Sequence, residues 1–322
     1  MKSMKEYGGY IEFEHYSGKE YHQNVLALNS GRNCLAHLMD VRKIKKIYLP
    51  YFLCSSVSMI CKKMGVEIEY YGIDEQFQPI FSKNLAENEY LYIVNFYGQL
   101  DRHLLLDLKR KHNYIIVDNV QAFFEKPIEG IDTIYVPRKF FGVADGAYLA
   151  TDCKIAENYP QDISCDKMEY LLGRFEGSAS QYYDKFREND ENFNTASIKF
   201  MSALTHNLLR GIDYESVKVR REENFKYLHS KLNKMNILHV HMPIGPFAYP
   251  LLIEDGYILR QKLQQNKIYI PTLWPNVLEE CESSSLEYRY ARDILPIPID
   301  QRYNLSDMEY IAEQLQKLVA PV

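Results

Sequence analysis

Short apolar runs alternate with amphipathic stretches through the first half of this chain. Arg32 to Val41 puts Leu35, Leu38 and Met39 at helical spacing, and Ser55 to Met64 does the same with Val57, Ile60, Cys61 and Met64. The runs between and after them read as buried strands: Ile47-Tyr48-Leu49 ending at Pro50, Val66 to Tyr71, Tyr90 to Asn95, Tyr114 to Asp118, Thr133 to Tyr135 and Ala147 to Ala150. Arg102 to Lys111 reads as a further helix. The β-α-β-α order over residues 24 to 151 predicts an α/β fold, a mostly parallel central sheet covered by helices. Such sheets take ligands beyond the carboxyl ends of their strands, where Pro50, Asn95 and Asp118 fall.

The pattern changes at residue 154. Residues 154 to 199 are polar and charged, and read as a helical connection with a mobile acidic stretch from Glu188 to Glu191. From about Phe200 a second alternation begins. It predicts a long helix from Val217 to Lys234 carrying Val219, Phe225, Leu228 and Leu232. Short strands follow at Leu238 to His241 and Tyr249 to Ile253, then a helix at Tyr257 to Asn266 and a strand at Ile268 to Ile270. A last helix spans Ser306 to Val319, with Ser306 as N-cap and Glu309 completing a capping box. The expected organisation is a large domain over 1–195 and a smaller C-terminal α+β domain over 196–322.

Charge and composition narrow the function classes. A net charge of -5 gives no electrostatic reason to expect nucleic acid or an acidic membrane as partner. No apolar run reaches the ~18 residues of a membrane span. The opening MKSMKEYGGYIEFEHYSG has charges throughout and no apolar core, so no secretory leader is expected there. The cysteines at 34, 54, 61, 153, 165 and 281 form no CxxC pair and no zinc-like grouping with histidine, so free thiols in the cytoplasm and no metal are expected. The 27 tyrosines read as amphipathic packing, with an aromatic-rich pocket or subunit interface as the other reading.

Asp118 to Gly146 carries the candidate chemistry. Asp118 ends an apolar strand, Gln121 follows three residues on, and Lys139 precedes the turn Ala144-Asp145-Gly146. A strand-end acid and a downstream lysine suit pyridoxal 5'-phosphate (PLP), which needs a protonated ring nitrogen and an amine for a Schiff base. Burial and the neighbouring Arg138 would lower the pKa of Lys139. Upstream, Ser30-Gly31-Arg32-Asn33 opens a helix, where backbone N–H groups bind phosphate and glycine permits close approach. Each residue has a plainer reading: Lys139 a solvated surface lysine, Asp118 a turn residue, Gln121 a polar loop residue, Ser30 an ordinary N-cap.

The order of these elements is more specific than any one of them. In it the chain resembles the DegT/DnrJ/EryC1/StrS family of PLP-dependent sugar aminotransferases, which have the aspartate aminotransferase fold (fold type I). Ser30-Gly31-Arg32-Asn33-Cys34-Leu35 resembles the family's SGT/SGR-x-A-L element, and Leu49-Pro50-Tyr51-Phe52-Leu53-Cys54 its Pro-rich strand end. Val94-Asn95-Phe96-Tyr97-Gly98 resembles V-H-x-Y-G, and Val117-Asp118-Asn119-Val120-Gln121-Ala122 resembles E-D-x-A-Q/H-A. Lys139 through Asp145-Gly146-Ala147 matches the spacing of K-x5-E-G-G. Leu273-Trp274-Pro275 and Leu295 to Asp300 resemble the family's small domain, and the likeness runs over roughly residues 25 to 320.

The resemblance implies roles. Lys139 would form the Schiff base, Asp118 would pair with the ring nitrogen, and Gln121 would contact the ring or its hydroxyl. Ser30, Gly31, Arg32 and Arg138 would lie about the phosphate, and Cys54 stands where relatives often stack an aromatic on the ring, a place Phe52 or Tyr51 could fill. Tyr97 and Trp274 are candidate substrate contacts. Besides Cys54, the chain departs from the pattern at Asp145 for glutamate, at Ala147 for glycine, and in lacking a serine between Ile134 and Arg138, where Tyr135 or Arg138 could replace the phosphate-binding hydroxyl. The implied activity moves an amino group from an amino acid, glutamate in most relatives, to a keto-sugar, nucleotide-linked as the family suggests, by a homodimer. Alternatives are a PLP-dependent sugar dehydratase, against which the retained Lys139 argues, and a non-catalytic or sensing protein that keeps the fold.

Overall fold

Strands form where apolar runs are buried along their whole length. In this computed structural model, which describes residues 7–153 and 158–319, β6 (Ile115–Asp118) and β7 (Asp132–Tyr135) are buried at every position. Burial on both faces is the mark of an inner parallel strand. The other strands of this sheet are β1 (Leu26–Leu28), β2 (Lys46–Pro50), β3 (Glu67–Ile73), β4 (Pro79–Ile80), β5 (Glu89–Val94) and β8 (Ala147–Ala150). Their order is β1-β8-β7-β6-β5-β2-β3-β4. β3, β2, β5, β6 and β7 run parallel, and β8 is antiparallel to both β7 and β1. The carboxyl ends of β1, β2, β5, β6 and β7 therefore share one edge, which is where the candidate residues lie. Helices α1 (Gly31–Val41), α2 (Ser55–Lys63) and α3 (Arg102–His112) close to the expected bounds connect the strands.

The polar region read as a connection is helical over much of its described part, 158–199. It forms α4 (Glu169–Glu176) and α5 (Tyr183–Asn192), so the acidic stretch expected to be mobile is the last part of a helix. Residues 197–211, assigned by pattern to the small domain, lie along the large sheet. Asn29 N–H donates to the Lys199 carbonyl at 2.9 Å and Met201 N–H to the Ala27 carbonyl at 3.1 Å. Asp145 is fully buried and accepts from Ser202 N (2.9 Å), Ser202 Oγ (2.7 Å) and Thr205 Oγ1, so it anchors the start of α6 (Ala203–Arg210), whose N-cap is Ser202. Gly146 beside it has φ 109° and a Cβ there would stand 2.9 Å from Met201 Cε, which makes glycine the fitting residue.

The long helix α7 (Tyr214–Leu232) joins two cores. Tyr214 packs with Phe123, Phe124, Tyr135, Phe140, Phe141 and Tyr148 against the large sheet. Phe225, Leu228 and Leu232 pack with β9 (Tyr249–Leu252), α8 (Gly256–Gln265), β10 (Ile294–Ile297) and α11 (Leu305–Val319) in the small domain. β9 and β10 pair antiparallel, between them α9 (Val277–Glu280) and α10 (Leu286–Asp293) follow α8, and the strands expected at Leu238 to His241 and Ile268 to Ile270 are irregular, because they find no ladder partner. At the last helix Asn304, not Ser306, is the cap. Its Oδ1 accepts from Ser306 N and Asp307 N, while Asp307 Oδ2 accepts from Asn304 N at 2.8 Å. Asp145→Ala strands the donors of Ser202 and Thr205 in the interior, and is expected to lower unfolding free energy by roughly 3 kcal/mol in urea titration; an unchanged midpoint would refute this anchoring.

Candidate active site

Asp118 lies at the carboxyl end of β6, paired in register with Val94 on β5 and Ile134 on β7. Its carboxylate is buried but not bare: Oδ2 accepts from the Tyr92 hydroxyl at 2.7 Å and Oδ1 from Val120 N at 2.8 Å. Burial pushes its pKa above the ordinary carboxylate range, against the two hydrogen bonds and the charge of Lys139. Each oxygen keeps a lone pair for one more donor.

Lys139 ends a short 3-10 turn, Pro137–Lys139, that follows β7. The turn is fastened by its neighbours. Phe140 and Phe141 are buried in the aromatic cluster, and the Phe140 carbonyl accepts from Gln301 Nε2 (2.8 Å) and Arg221 Nη2 (3.2 Å) of the C-terminal half. Lys139 itself keeps exposed surface at this edge of the sheet. Desolvation and the adjacent Arg138 cation lower its pKa, while Asp190 and Cys54 oppose them. A lowered ammonium pKa raises the fraction of free amine.

A basic seat adjoins the lysine. Ser30 Oγ accepts from Asn33 N at 3.2 Å and so is taken up as the cap of α1, leaving the first backbone amides of that helix as anion donors. A Cβ at Gly31 would stand 2.9 Å from Val136 Cγ2, so only glycine lets the helix start come this close to the β7 turn. The Arg138 guanidinium lies 4.5 Å from the Phe193 ring centre and donates to Asp190 Oδ1 at 3.1 Å. Arg32 Nη2 is 3.7 Å from Asp190 Oδ2. The Nε atoms of both arginines are buried without a hydrogen-bond partner. Two orphaned cationic donors beside a helix start, with a buried acid and a pKa-lowered lysine, fit a phosphate-bearing aldehyde with a basic ring.

The remaining expected residues divide. Cys54 caps α2 without a side-chain bond to it and lies close enough to Lys139 to affect its charge. Gln121 is buried and its Oε1 accepts from Tyr97 N at 2.7 Å, so it holds the Asn95–Gly98 turn. Tyr97 is wholly buried, with its ring against Phe77, and as placed offers no face to a substrate. Trp274 stands edge-on to Phe52 at 4.7 Å and Phe96 at 5.5 Å. Phe52 is consumed by that packing and offers no stacking face, while Tyr51 stacks on Tyr70 and stays half-exposed. Tyr135 is buried against His22, with ring centres 3.9 Å apart. Asp190 was not anticipated; its only signal was an acid on a polar helix.

No protein-family profile matches the chain, and no curated protein matches its sequence. Solved structures do match. Bacillus subtilis NtdA with bound cofactor PMP aligns at TM-score 0.66 with 14% identity, over 92% of this chain and 73% of that one. S. venezuelae DesV in complex with a ketimine intermediate gives 0.63 and 15%, over 92% and 85%. Helicobacter pylori PseC, an aminotransferase involved in the biosynthesis of pseudoaminic acid, gives 0.61 and 13%, over 91% and 86%. The chain has the fold of these proteins, with the mostly parallel sheet and small C-terminal domain expected from its sequence; at such identities the likeness speaks for the fold alone.

A buried acid with a raised pKa binds its proton more tightly folded than unfolded. Stability is therefore lost as pH rises from the ordinary value of 3.8 through the raised folded value, and the deficit persists at neutral pH. In the cofactor-free chain, Asp118→Asn removes this dependence. The variant-minus-wild-type unfolding free energy is expected to climb with pH and then level off; a flat difference would show that Asp118 is not held as a raised acid.

Proposed function

We propose that this protein is a PLP-dependent aminotransferase. It transfers an amino group from an amino acid, glutamate in the first instance, to a keto-sugar carried on a nucleotide, in amino-sugar or surface-polysaccharide biosynthesis. The observation that supports this is the placing of Asp118 and Lys139 at one sheet edge, with the Lys139 charge felt at Asp118, beside the seat made by Gly31, Arg32 and Arg138. Bound PLP supplies a carbonyl for the amine and an electron-accepting ring. Asp118 would hold a proton on the ring nitrogen, and the cation so formed would offset the burial of its carboxylate. Lys139 Nζ, displaced by the amino donor, would move the proton taken from the donor's α-carbon. Arg32, Arg138 and the α1 amides would fix the phosphate and so the ring's orientation.

A homodimer fits the exposed apolar side chains of α4 and α5. Phe175 is 93% and Leu172 60% exposed, and Tyr183 and Phe186 on the next helix are exposed too; grouped exposed apolar side chains are a mark of interaction surfaces. The six free cysteines suit a reducing cytoplasm.

Wild type with added PLP is expected to absorb in the visible, to yield a borohydride-fixed adduct on the peptide holding Lys139, and to form pyridoxamine phosphate from glutamate. Lys139→Ala should lose the adduct and reduce amino transfer on the order of 10³-fold or more. A colourless protein after PLP addition would sink the cofactor reading; colour without pyridoxamine phosphate from any amino acid would sink transamination. Light scattering should give twice 37.9 kDa, and Phe175→Asp should shift the mass toward one copy; a wild-type monomer would dismiss the dimer.

A further inference from the structure

The basic seat already holds a carboxylate of the chain's own. Asp190, near the end of α5, bridges the two arginines through Oδ1 to Arg138 Nη2 at 3.1 Å and Oδ2 to Arg32 Nη2 at 3.7 Å. The Arg138 and Arg32 side chains are 9% and 17% exposed, whereas Asp190 is 42% exposed. The guanidinium of Arg138 is further held over Phe193. The cations are therefore fixed parts of the body, and the carboxylate is the member with a path to water. Asn189 ties α5 to the sheet edge by donating to the Ala144 carbonyl at 2.9 Å, so Asp190 can turn outward about its own side chain without loss of the helix.

The arginines hold more donors than Asp190 uses, since the Nε of each is buried with no partner. A phosphate monoester has three terminal oxygens and close to two charges, and two guanidiniums with helix-start amides answer it better than one carboxylate does. Asp190 and the ester require the same donors, and standing together they repel. We infer that Asp190 is an internal competitor for the phosphate seat, occupying Arg32 and Arg138 in the free protein and leaving them when the ester binds, so that it sets the seat's affinity. The seat stands on these contacts; only the identity of the ester rests on the cofactor reading.

The plainer role for Asp190, a support that holds Arg138 in place, predicts the opposite sign. Isothermal titration of cofactor-free wild type, Asp190→Asn and Asp190→Ala with inorganic phosphate, PLP and pyridoxal separates them. Both variants are expected to bind inorganic phosphate and PLP at least about tenfold tighter than wild type, the scale of coupling between close charges. Pyridoxal, which lacks the phosphate, should be unchanged. Equal or weaker phosphate binding in both variants overturns the inference, as does an equal gain for pyridoxal. Failure of the cofactor reading looks different: phosphate binding tightens while borohydride leaves no adduct on Lys139, which upholds the competition and removes PLP.

Discussion

A carboxylate buried at the carboxyl end of the sheet, Asp118, is the group around which the charged neighbours of the site are arranged. Burial alone drives Asp118 toward its neutral form and Lys139 toward its free amine. The Tyr92 hydroxyl and Val120 amide draw Asp118 back toward the carboxylate, while Arg138 drives Lys139 further toward the amine. Asp190 in turn is pushed up by burial and held below the usual carboxylate range by Arg138, Lys139 and Arg32. The result is a set of charges poised to accept a ligand that is anionic at one end and cationic at the other.

Such a set works only if its parts are held in place, and the anchoring is done by residues with no chemistry of their own. Lys139 stays near the arginines because its turn is fixed by Pro137 before it and by Phe140 and Phe141 after it. Arg221 extends the hold across the two cores. It is buried among backbone carbonyls, donating to Pro246 and Phe140 and, through Nε, to Gln301, while its guanidinium lies 4.6 Å from the Phe140 ring centre. Desolvation lowers its pKa to about 10, still high enough to keep the charge that those carbonyls solvate. The small domain thus grips the residue next to the lysine, and any movement of one core against the other would be felt at Lys139 Nζ.

The sequence-legible part of the site is the part in which local and tertiary demands coincide. Asp118 follows an apolar strand and must lie at its end; Gly31 opens a helix and must present its amides there. Asp190 was illegible because a polar helix with acids along it has the same pattern whether its face meets solvent or a pair of arginines. Phe52 and Tyr97 lie in the core for the converse reason: an aromatic near a strand end can face a ligand or the core, and pattern does not say which. Asp145 belongs to a motif that marks chemistry nearby, yet its own carboxylate is used to hold Ser202, the cap of α6.

The chain by itself determined the alternation of strands and helices, the sheet edge at which the reactive residues gather, and the order in which they arrive. Those follow from periodicity and from the short range of turn and cap chemistry, which a few neighbouring residues settle. Tertiary structure alone decided which charges meet. Arg32, Arg138 and Asp190 are distant in sequence, and their pairing depends on how α5 packs beside the start of α1 and the turn after β7. That packing is a balance of desolvation against Coulomb attraction over the whole fold, and no local pattern encodes it.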